Sequence, residues 1–323
     1  MGSNPSELYS CIMSNMVTRS LEVVAFGSCY VDTNVENYPF GNDGIAPETE
    51  LVGERYETVP GGSAVNFCRL LGEFGLRTAF IGMAGDDPNG DTLARLLEQH
   101  NVQAELVRLP DLLTNISFNV TNPDGEHIML VAGTANASLS PDDVMPKLEQ
   151  LLPLIKMLYL GGCFKLKAFE HAFAQIANLA KRNSVELAID HGRVPEGTSE
   201  AMLGAIKALV LSAAYYLPSR DEFCKLWGVA DIEEGLRRLK DEAPDLIVVV
   251  KDGANGAFYW SGDSTQQVKA ERVEKVVNAT GAGDSFNAGL IAALAKDQSL
   301  ADAIAYGCRV AASKIRAEAL PSL

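Results

Sequence analysis

The chain has 323 residues, 47% of them hydrophobic, enough to bury a sizeable core in one large α/β domain or two small ones. Acidic residues outnumber basic ones by 42 to 27, a formal net charge of −15; this excludes nucleic acid and anionic membrane as main partners but not a small anion held by a few local donors. Six cysteines (Cys11, Cys29, Cys68, Cys163, Cys224, Cys308) form no CxxC pair or Cys/His cluster, which points away from zinc and redox sites and towards reduced thiols in a cytoplasmic setting.

Residues 1–20 lack the apolar core of a signal peptide and read as a disordered or tag-like segment, and no apolar run reaches transmembrane length. Residues 21–323 read as one domain. Its first strand is expected over 21–27, apolar, β-branched and closed by glycine, with Asp32 soon after. Residues 36–58 are polar and rich in Pro and Gly, a poor helix and a plausible exposed strand pair. Pro60-Gly61-Gly62-Ser63-Ala64-Val65-Asn66 is a glycine turn running into a helix over 63–71. A strand over 78–83 and a helix over 91–100 follow, then strands over 102–108 and 116–121. Asn122-Pro123-Asp124-Gly125 is a turn signal before a return strand over 127–131, so a hairpin is expected.

From Pro141 onward helices alternate with strands at 157–161, 186–190, 214–217 and 246–251. Such alternation predicts a parallel sheet with helices on both faces and a ligand site beyond the carboxyl ends of its strands. Asp32, Asp190, Glu222 and Gly253 all fall just after expected strands and converge on that edge. The histidines (His100, His127, His171, His191) show no ligand spacing and no paired nucleophile, and read as surface or loop residues.

Asn278-Ala279-Thr280-Gly281-Ala282-Gly283-Asp284-Ser285-Phe286-Asn287 is the most informative stretch. Small residues at a helix start leave backbone N–H groups free to face an anion, and Asp284 sits in the first turn beside whatever is held there. An anion cradle next to a carboxylate suits phosphoryl transfer to a hydroxyl: the amides stabilise charge on the moving group and the carboxylate accepts the hydroxyl proton.

Together, and in order across residues 21 to 315, the two glycine motifs resemble the two signatures of the ribokinase-like (PfkB) carbohydrate kinase family. The resemblance implies a three-layer ribokinase-like sandwich: a central, mainly parallel sheet and a small β-sheet lid, the lid drawn mainly from about 36–58 and 103–131. It implies ATP-dependent phosphorylation of a hydroxymethyl group on a small ribose- or ketose-like sugar. Asp284 would be the base, and Gly281, Ala282 and Gly283 the anion hole. Asp32, Gly61, Gly62 and Asn66 would hold the substrate. Ser219, Glu222, Lys251, Gly253, Gly256 and Thr280 would line the nucleotide, with Glu222 acting indirectly on Mg2+. A homodimer through the lid is a further implication.

The sequence departs from the family pattern in places. Ser219 stands where Asn is usual before Glu222, and the pair reads equally as a helix capping box. Asn278 and Ala279 replace Asp and Thr, which leaves monovalent-cation dependence open. Asp190-His191-Gly192-Arg193 resembles a loop of sugar-acid kinases in which Arg contacts phosphate or substrate. Nucleosides and 2-keto-3-deoxygluconate stay open as acceptors, with Tyr38, Phe40 and Phe118 as candidates for a base slot. So does a catalytically silent regulatory relative. A Rossmann dehydrogenase is excluded, because no GxGxxG follows the first strand.

Overall fold

Val23–Gly27 (β1) is buried along its whole length, as a strand covered on both faces must be. Alternate side chains explain why it needs to be so apolar. Val24 and Phe26 enter one hydrophobic core while Val23 and Ala25 enter another, because successive residues of a strand point to opposite faces. The computed structural model describes residues 20–36, 55–122, 127–261 and 264–322. Residues 1–19, 37–54, 123–126, 262–263 and 323 fall outside them, and with them most of the expected strand pair over 36–58, Tyr38, Phe40 and most of the expected turn at 122–125.

The large sheet is built on Thr78–Gly85 (β4), Met157–Gly161 (β8), Glu186–Asp190 (β9), Tyr215–Tyr216 (β10) and Ile247–Lys251 (β11), all parallel to β1 or to one another. Ala257–Ser261 (β12) and Ser264–Val268 (β13) close one side antiparallel. Ser63–Glu73 (α1) and Pro88–Gln99 (α2) cover one face with Ala282–Leu294 (α9) and Leu300–Arg316 (α10). The short Ala135–Ser138 (α3) and Pro141–Leu151 (α4), Phe173–Arg182 (α5), Glu200–Leu211 (α6), Arg220–Trp227 (α7) and Ile232–Glu242 (α8) pack on the other. This is the expected three-layer ribokinase-like architecture, with a nine-stranded central sheet.

Among the described residues the smaller sheet has four strands: Tyr30–Glu36 (β2), Arg55–Gly61 (β3), Ile116–Thr121 (β6) and His127–Ala132 (β7), in the order β3-β2-β6-β7. β2 and β6 run parallel at its centre, and the expected β6–β7 hairpin is present. Its composition differs from the expected lid segments. Val102–Leu109 (β5) is not in it: that segment pairs with β4 in parallel register from Thr78↔Val102 to Gly85↔Leu109 and forms an edge of the large sheet. Only the first residue, Val102, is buried, so its half-exposed pattern looks the same from sequence as a lid strand. The missing partner is β2, whose polar residues concealed a strand.

The two faces of the small sheet differ in chemistry. Asp32 pairs with Ser117 and Asn34 with Asn119 on one face, whereas Phe118 is cross-strand to Leu130 and Val35 to Tyr56 on the other. The apolar face is exposed, at 77% for Tyr56, 44% for Phe118 and 60% for Leu130. Phe118 therefore faces away from Asp32 and lines no slot beside it.

Candidate active site

Close approach of α1 to the strand ends sets the geometry. A Cβ on Gly27 would lie 2.7 Å from Gly161 O, and one on Gly161 would lie 2.9 Å from Ala64 N. Gly62, at φ 112°, turns the chain into α1 and has its missing Cβ 2.3 Å from Ser28 O. The upstream motif thus brings Ser63 and Asn66 over the start of α9. There Gly281 takes φ 78° as N-cap, and Asp284 occupies the first turn.

The two glycine motifs meet at the Asp284 carboxylate. Ser63 Oγ donates to Asp284 Oδ1 at 2.5 Å and Asn66 Nδ2 donates to Oδ2 at 3.0 Å. Burial pushes the Asp284 carboxyl up to about 6, against the opposing pull of these two donors; Asp190 raises it further and Lys251 lowers it. At the mouth of α9 the Ala282 amide donates to Ala279 O at 3.2 Å, while the amides of Gly283 and Asp284 have no carbonyl partner among the described residues. Asn278 Oδ1 accepts from Thr280 N at 2.8 Å and stiffens the approach to this turn.

Beneath it lies a buried ion pair. Lys251 Nζ donates to Asp190 Oδ2 at 2.8 Å and to Asn287 Oδ1 at 3.1 Å. Burial alone would raise Asp190, but the adjacent ammonium outweighs it and holds the carboxyl below its ordinary range. Lys251 also approaches the glycine turn, 3.5 Å from where a Gly283 Cβ would be.

Three cavities adjoin the turn. A polar one of about 350 Å³ is lined by Ser63, Lys165, Asp190, Arg193, Lys251 and Asp284. An apolar one of about 590 Å³ is lined by Ala254, Val273, Val276, Ala311, Ala312 and Ile315, and shares Lys251 and Gly283 with the first. A third, about 450 Å³, lies under the polar face of the small sheet, with Asp32, Asn66 and Thr280 on its walls, and meets the first at Gly281.

The expected residues distribute among these spaces. Asp284, Gly281, Ala282, Gly283 and Gly62 surround the polar cavity. Gly253 and Gly256, at φ 54° and 91°, lie along the apolar one. Ser219 borders both, and Glu222 lines the polar one. These two form the capping box of α7, with Ser219 N donating to Glu222 Oε2 at 2.8 Å. Burial raises the Glu222 carboxyl, and Asp190 adds to the rise. Asp32 accepts from Ser117 Oγ at 2.6 Å, and burial raises it too, against Ser117 and Lys165. Gly61 is small for a reason: a Cβ there would fall 1.8 Å from Asp32 Oδ2. Thr280 stands apart from the other nucleotide candidates, since it lines the cavity under the small sheet.

Other residues come to the site without a signal of their own in the sequence. Ser63 and Asn287 lie inside the two motifs, but nothing there distinguishes them from packing residues. Tyr159 reads as an apolar strand residue. His191 lies in the loop after β9, within the expectation of surface or loop histidines, but not at the surface. It is fully buried, its Nε2 is 2.8 Å from Tyr216 OH, and burial lowers it to about 4.

Residues 20–320 match the model of the pfkB family of carbohydrate kinases. The chain belongs to this family. Several relatives can be set beside it. Bifunctional protein HldE of Proteus mirabilis is 26% identical over 282 residues, covering 84% of this chain but 56% of that protein, so the chain spans little more than half of this relative's length. Probable fructokinase-5 of Arabidopsis thaliana is 28% identical over 292 residues, with 87% and 85% covered. The 5-dehydro-2-deoxygluconokinase of Halalkalibacterium halodurans is 24% identical over 319 residues, with 94% and 93% covered. Among solved structures, Arabidopsis thaliana ribokinase complexed with ribose and ATP superimposes with a TM-score of 0.69 at 20% identity, with 92% and 93% covered. A candidate ribokinase II from E. coli in complex with ATP and Mg2+ gives 0.75 at 21% identity, with 91% and 92% covered. Likeness at this level establishes the shared fold. Among the described residues no helix is long and apolar enough to cross a membrane.

Proposed function

We propose that this pfkB kinase transfers the terminal phosphoryl group of ATP to a hydroxymethyl group of a small ribose- or ketose-like sugar, with Asp284 as general base. The observation that carries the reading is the position of the Asp284 carboxylate. It is gripped by Ser63 and Asn66 of the upstream motif and lines the polar cavity, directly after Ala282 and Gly283, which the apolar cavity shares. The apolar cavity suits an adenine base, because its walls are mostly small aliphatic residues. The phosphates then run past Lys251 and Gly283, whose amide, unpaired among the described residues, belongs to an anion hole with Gly281 and Ala282, the Ala282 amide turning from Ala279 O to the phosphate when the site fills. The sugar lies on the other side, held by Asp32, Asn66 and the backbone of Gly61 and Gly62. Closure of the small sheet excludes water.

Asp284 is suited to the step. Raised to about 6, it is ionised at neutral pH yet basic enough to accept a proton as the hydroxyl oxygen attacks. Mg2+ carried by the nucleotide would neutralise phosphate charge during transfer. The residues present fit an ion of that kind: Glu222 and Asp190 both line the polar cavity, where their carboxylates could meet an ion carried by the nucleotide.

One observation favours a second acceptor class, the sugar acids. Lys165 and Arg193 line the same cavity as Asp284, and neither forms an ion pair among the described residues. Two cations without a direct ion-pair partner there suit an acceptor with a carboxylate. The apolar outer face of the small sheet, with Tyr56, Phe118 and Leu130 exposed, is the proposed surface of a homodimer.

ADP release measured across ribose, fructose, 2-keto-3-deoxygluconate and adenosine, with Mg2+ supplied, tests the reading. Turnover with one of these and its loss in Asp284→Asn, with ATP binding retained, is the expected result. Full activity in that variant would remove Asp284 as base, and equal inactivity with every acceptor would favour a silent relative.

A further inference from the structure

The loop after β9 carries Arg193 to the wall of the polar cavity, and a buried imidazole sets its conformation from beneath. Gly192, at φ 70°, takes the left-handed turn, and both of its backbone polar groups are held. Its amide donates to Asp190 Oδ1 at 3.1 Å, and its carbonyl oxygen lies 2.6 Å from His191 Nδ1. A Cβ on Gly192 would come 3.2 Å from Gly162 Cα, so the turn also presses against the loop after β8. The ring has a partner on its other nitrogen too. Nε2 is 2.8 Å from Tyr216 OH, which in turn is 3.3 Å from Trp227 Nε1. The two ends of this series fix every proton in it, because an indole N–H can only donate and a carbonyl can only accept. Trp227 donates to the phenol, the phenol donates to Nε2, and the ring proton sits on Nδ1 and goes to Gly192 O. Burial lowers the imidazole to about 4 and so keeps it neutral, and it raises the phenol well above its ordinary range. Phe164 meets the ring edge-on, with centroids 5.4 Å apart.

We infer that His191, as the Nδ1–H tautomer, is a positioning residue for the acceptor: it fixes the Gly192–Arg193 peptide and with it the direction in which Arg193 leaves the turn. The inference rests on the reading of the polar cavity as the place where acceptor and phosphoryl group meet. The Gly192 carbonyl belongs to the peptide bond that leads into Arg193, so holding its oxygen fixes the plane from which Arg193 departs. Arg193 lines the cavity with Lys165 and Asp284. The preceding residue places another cation of the same wall, since Asp190 Oδ2 accepts from Lys251 Nζ at 2.8 Å. Two adjacent residues of one loop thus aim two cations, Asp190 by direct contact with Lys251 and His191 through the backbone of Arg193.

The test uses the full chain. Long-range proton–nitrogen spectra, with the His191 signals assigned by their absence in His191→Asn, should show Nδ1 protonated and Nε2 bare at neutral pH. Backbone relaxation should give Gly192 and Arg193 order parameters near the rigid value of about 0.85, falling below about 0.6 in His191→Phe, which keeps a ring but neither nitrogen. His191→Asn, whose amide nitrogen stands where Nδ1 stands, should restore them. His191→Phe should also raise the acceptor KM about threefold to tenfold, the size of one lost hydrogen bond, with kcat and the KM for ATP within about twofold of wild type. Arg193→Met should raise the acceptor KM as well. Adding His191→Phe to it should raise that KM no further, because a residue acting through Arg193 then has nothing left to place. If His191→Phe does not fold, Tyr216→Phe, which removes one hydroxyl and frees the ring to take either tautomer, carries the same readouts. Additive effects of His191 and Arg193 on the acceptor KM, or unchanged order parameters in the variants, overturn the positioning role, and a proton on Nε2 overturns the tautomer it needs. The spectra and order parameters do not require turnover, so failure of the kinase reading (no ADP release with any acceptor) is distinct from failure of this one.

Discussion

Replacing Asp284 with Asn should destroy turnover and stabilise the fold. The carboxyl has its midpoint raised from 3.8 to about 6, chiefly by burial. The unfolded chain therefore ionises it more readily than the native one. The native state is disfavoured by an amount that grows as pH rises above 3.8 and levels off past 6, at about 3 kcal/mol. Asn carries no charge to desolvate, and its Oδ1 still accepts from Ser63. Its amide, however, confronts the Asn66 amide, and that mismatch takes back about 1 kcal/mol. A net gain of about 2 kcal/mol raises Tm by about 3–6 °C at pH 8 in a domain of this size. The gain should shrink as pH falls from 6 towards 4, where the wild-type carboxyl is protonated in the native state. Calorimetry of both proteins between pH 4.5 and 8 measures it. A Tm lowered at pH 8, or a difference that does not change with pH, would refute the claim that the site holds a desolvated base.

Lys251→Met should leave Asp190 buried without its partner and cost about 3–5 kcal/mol, while Asp190→Asn added to it recovers most of the loss, as denaturant titration will show. Ala311→Phe fills the apolar cavity and should raise the KM for ATP at least about tenfold, with the KM of the acceptor nearly unchanged; initial-rate kinetics in both substrates decide it. Gly61→Ala places a Cβ against Asp32 and should do the reverse, weakening acceptor binding while sparing ATP. Phe118→Lys with Leu130→Lys should leave monomers in sedimentation velocity and a pocket that still binds ATP.

The large sheet could be read from sequence because its parallel strands are buried on both faces and leave unbroken apolar runs such as residues 23–27 and 247–250. The edges could not. β5 alternates like a lid strand because one of its faces is open, and β2 carries Asp32, Thr33 and Asn34, which look like loop chemistry until the backbone pairs with β3 and β6. Within the site, glycines were legible because turns and close approaches have local spacing. Contacts between distant segments have none. Ser63 and Asp284 are 221 positions apart, and nothing in either motif alone says that one hydroxyl reaches the other carboxylate. The burial of His191 within its loop was hidden for the same reason, since its partner Tyr216 belongs to a strand distant in sequence.

Lys251 forms part of the wall between the polar and apolar cavities, and its ammonium is already held by Asp190 and Asn287. On the proposed reading, a nucleotide in the apolar cavity and an anionic acceptor in the polar one would meet the same cation from opposite sides. Whatever charge one of them brings to Nζ changes what the other encounters, and thermodynamic reciprocity requires the two affinities to shift by the same factor. On that reading the two ligands should be coupled within a single subunit, with each one's dissociation constant a function of the other's concentration.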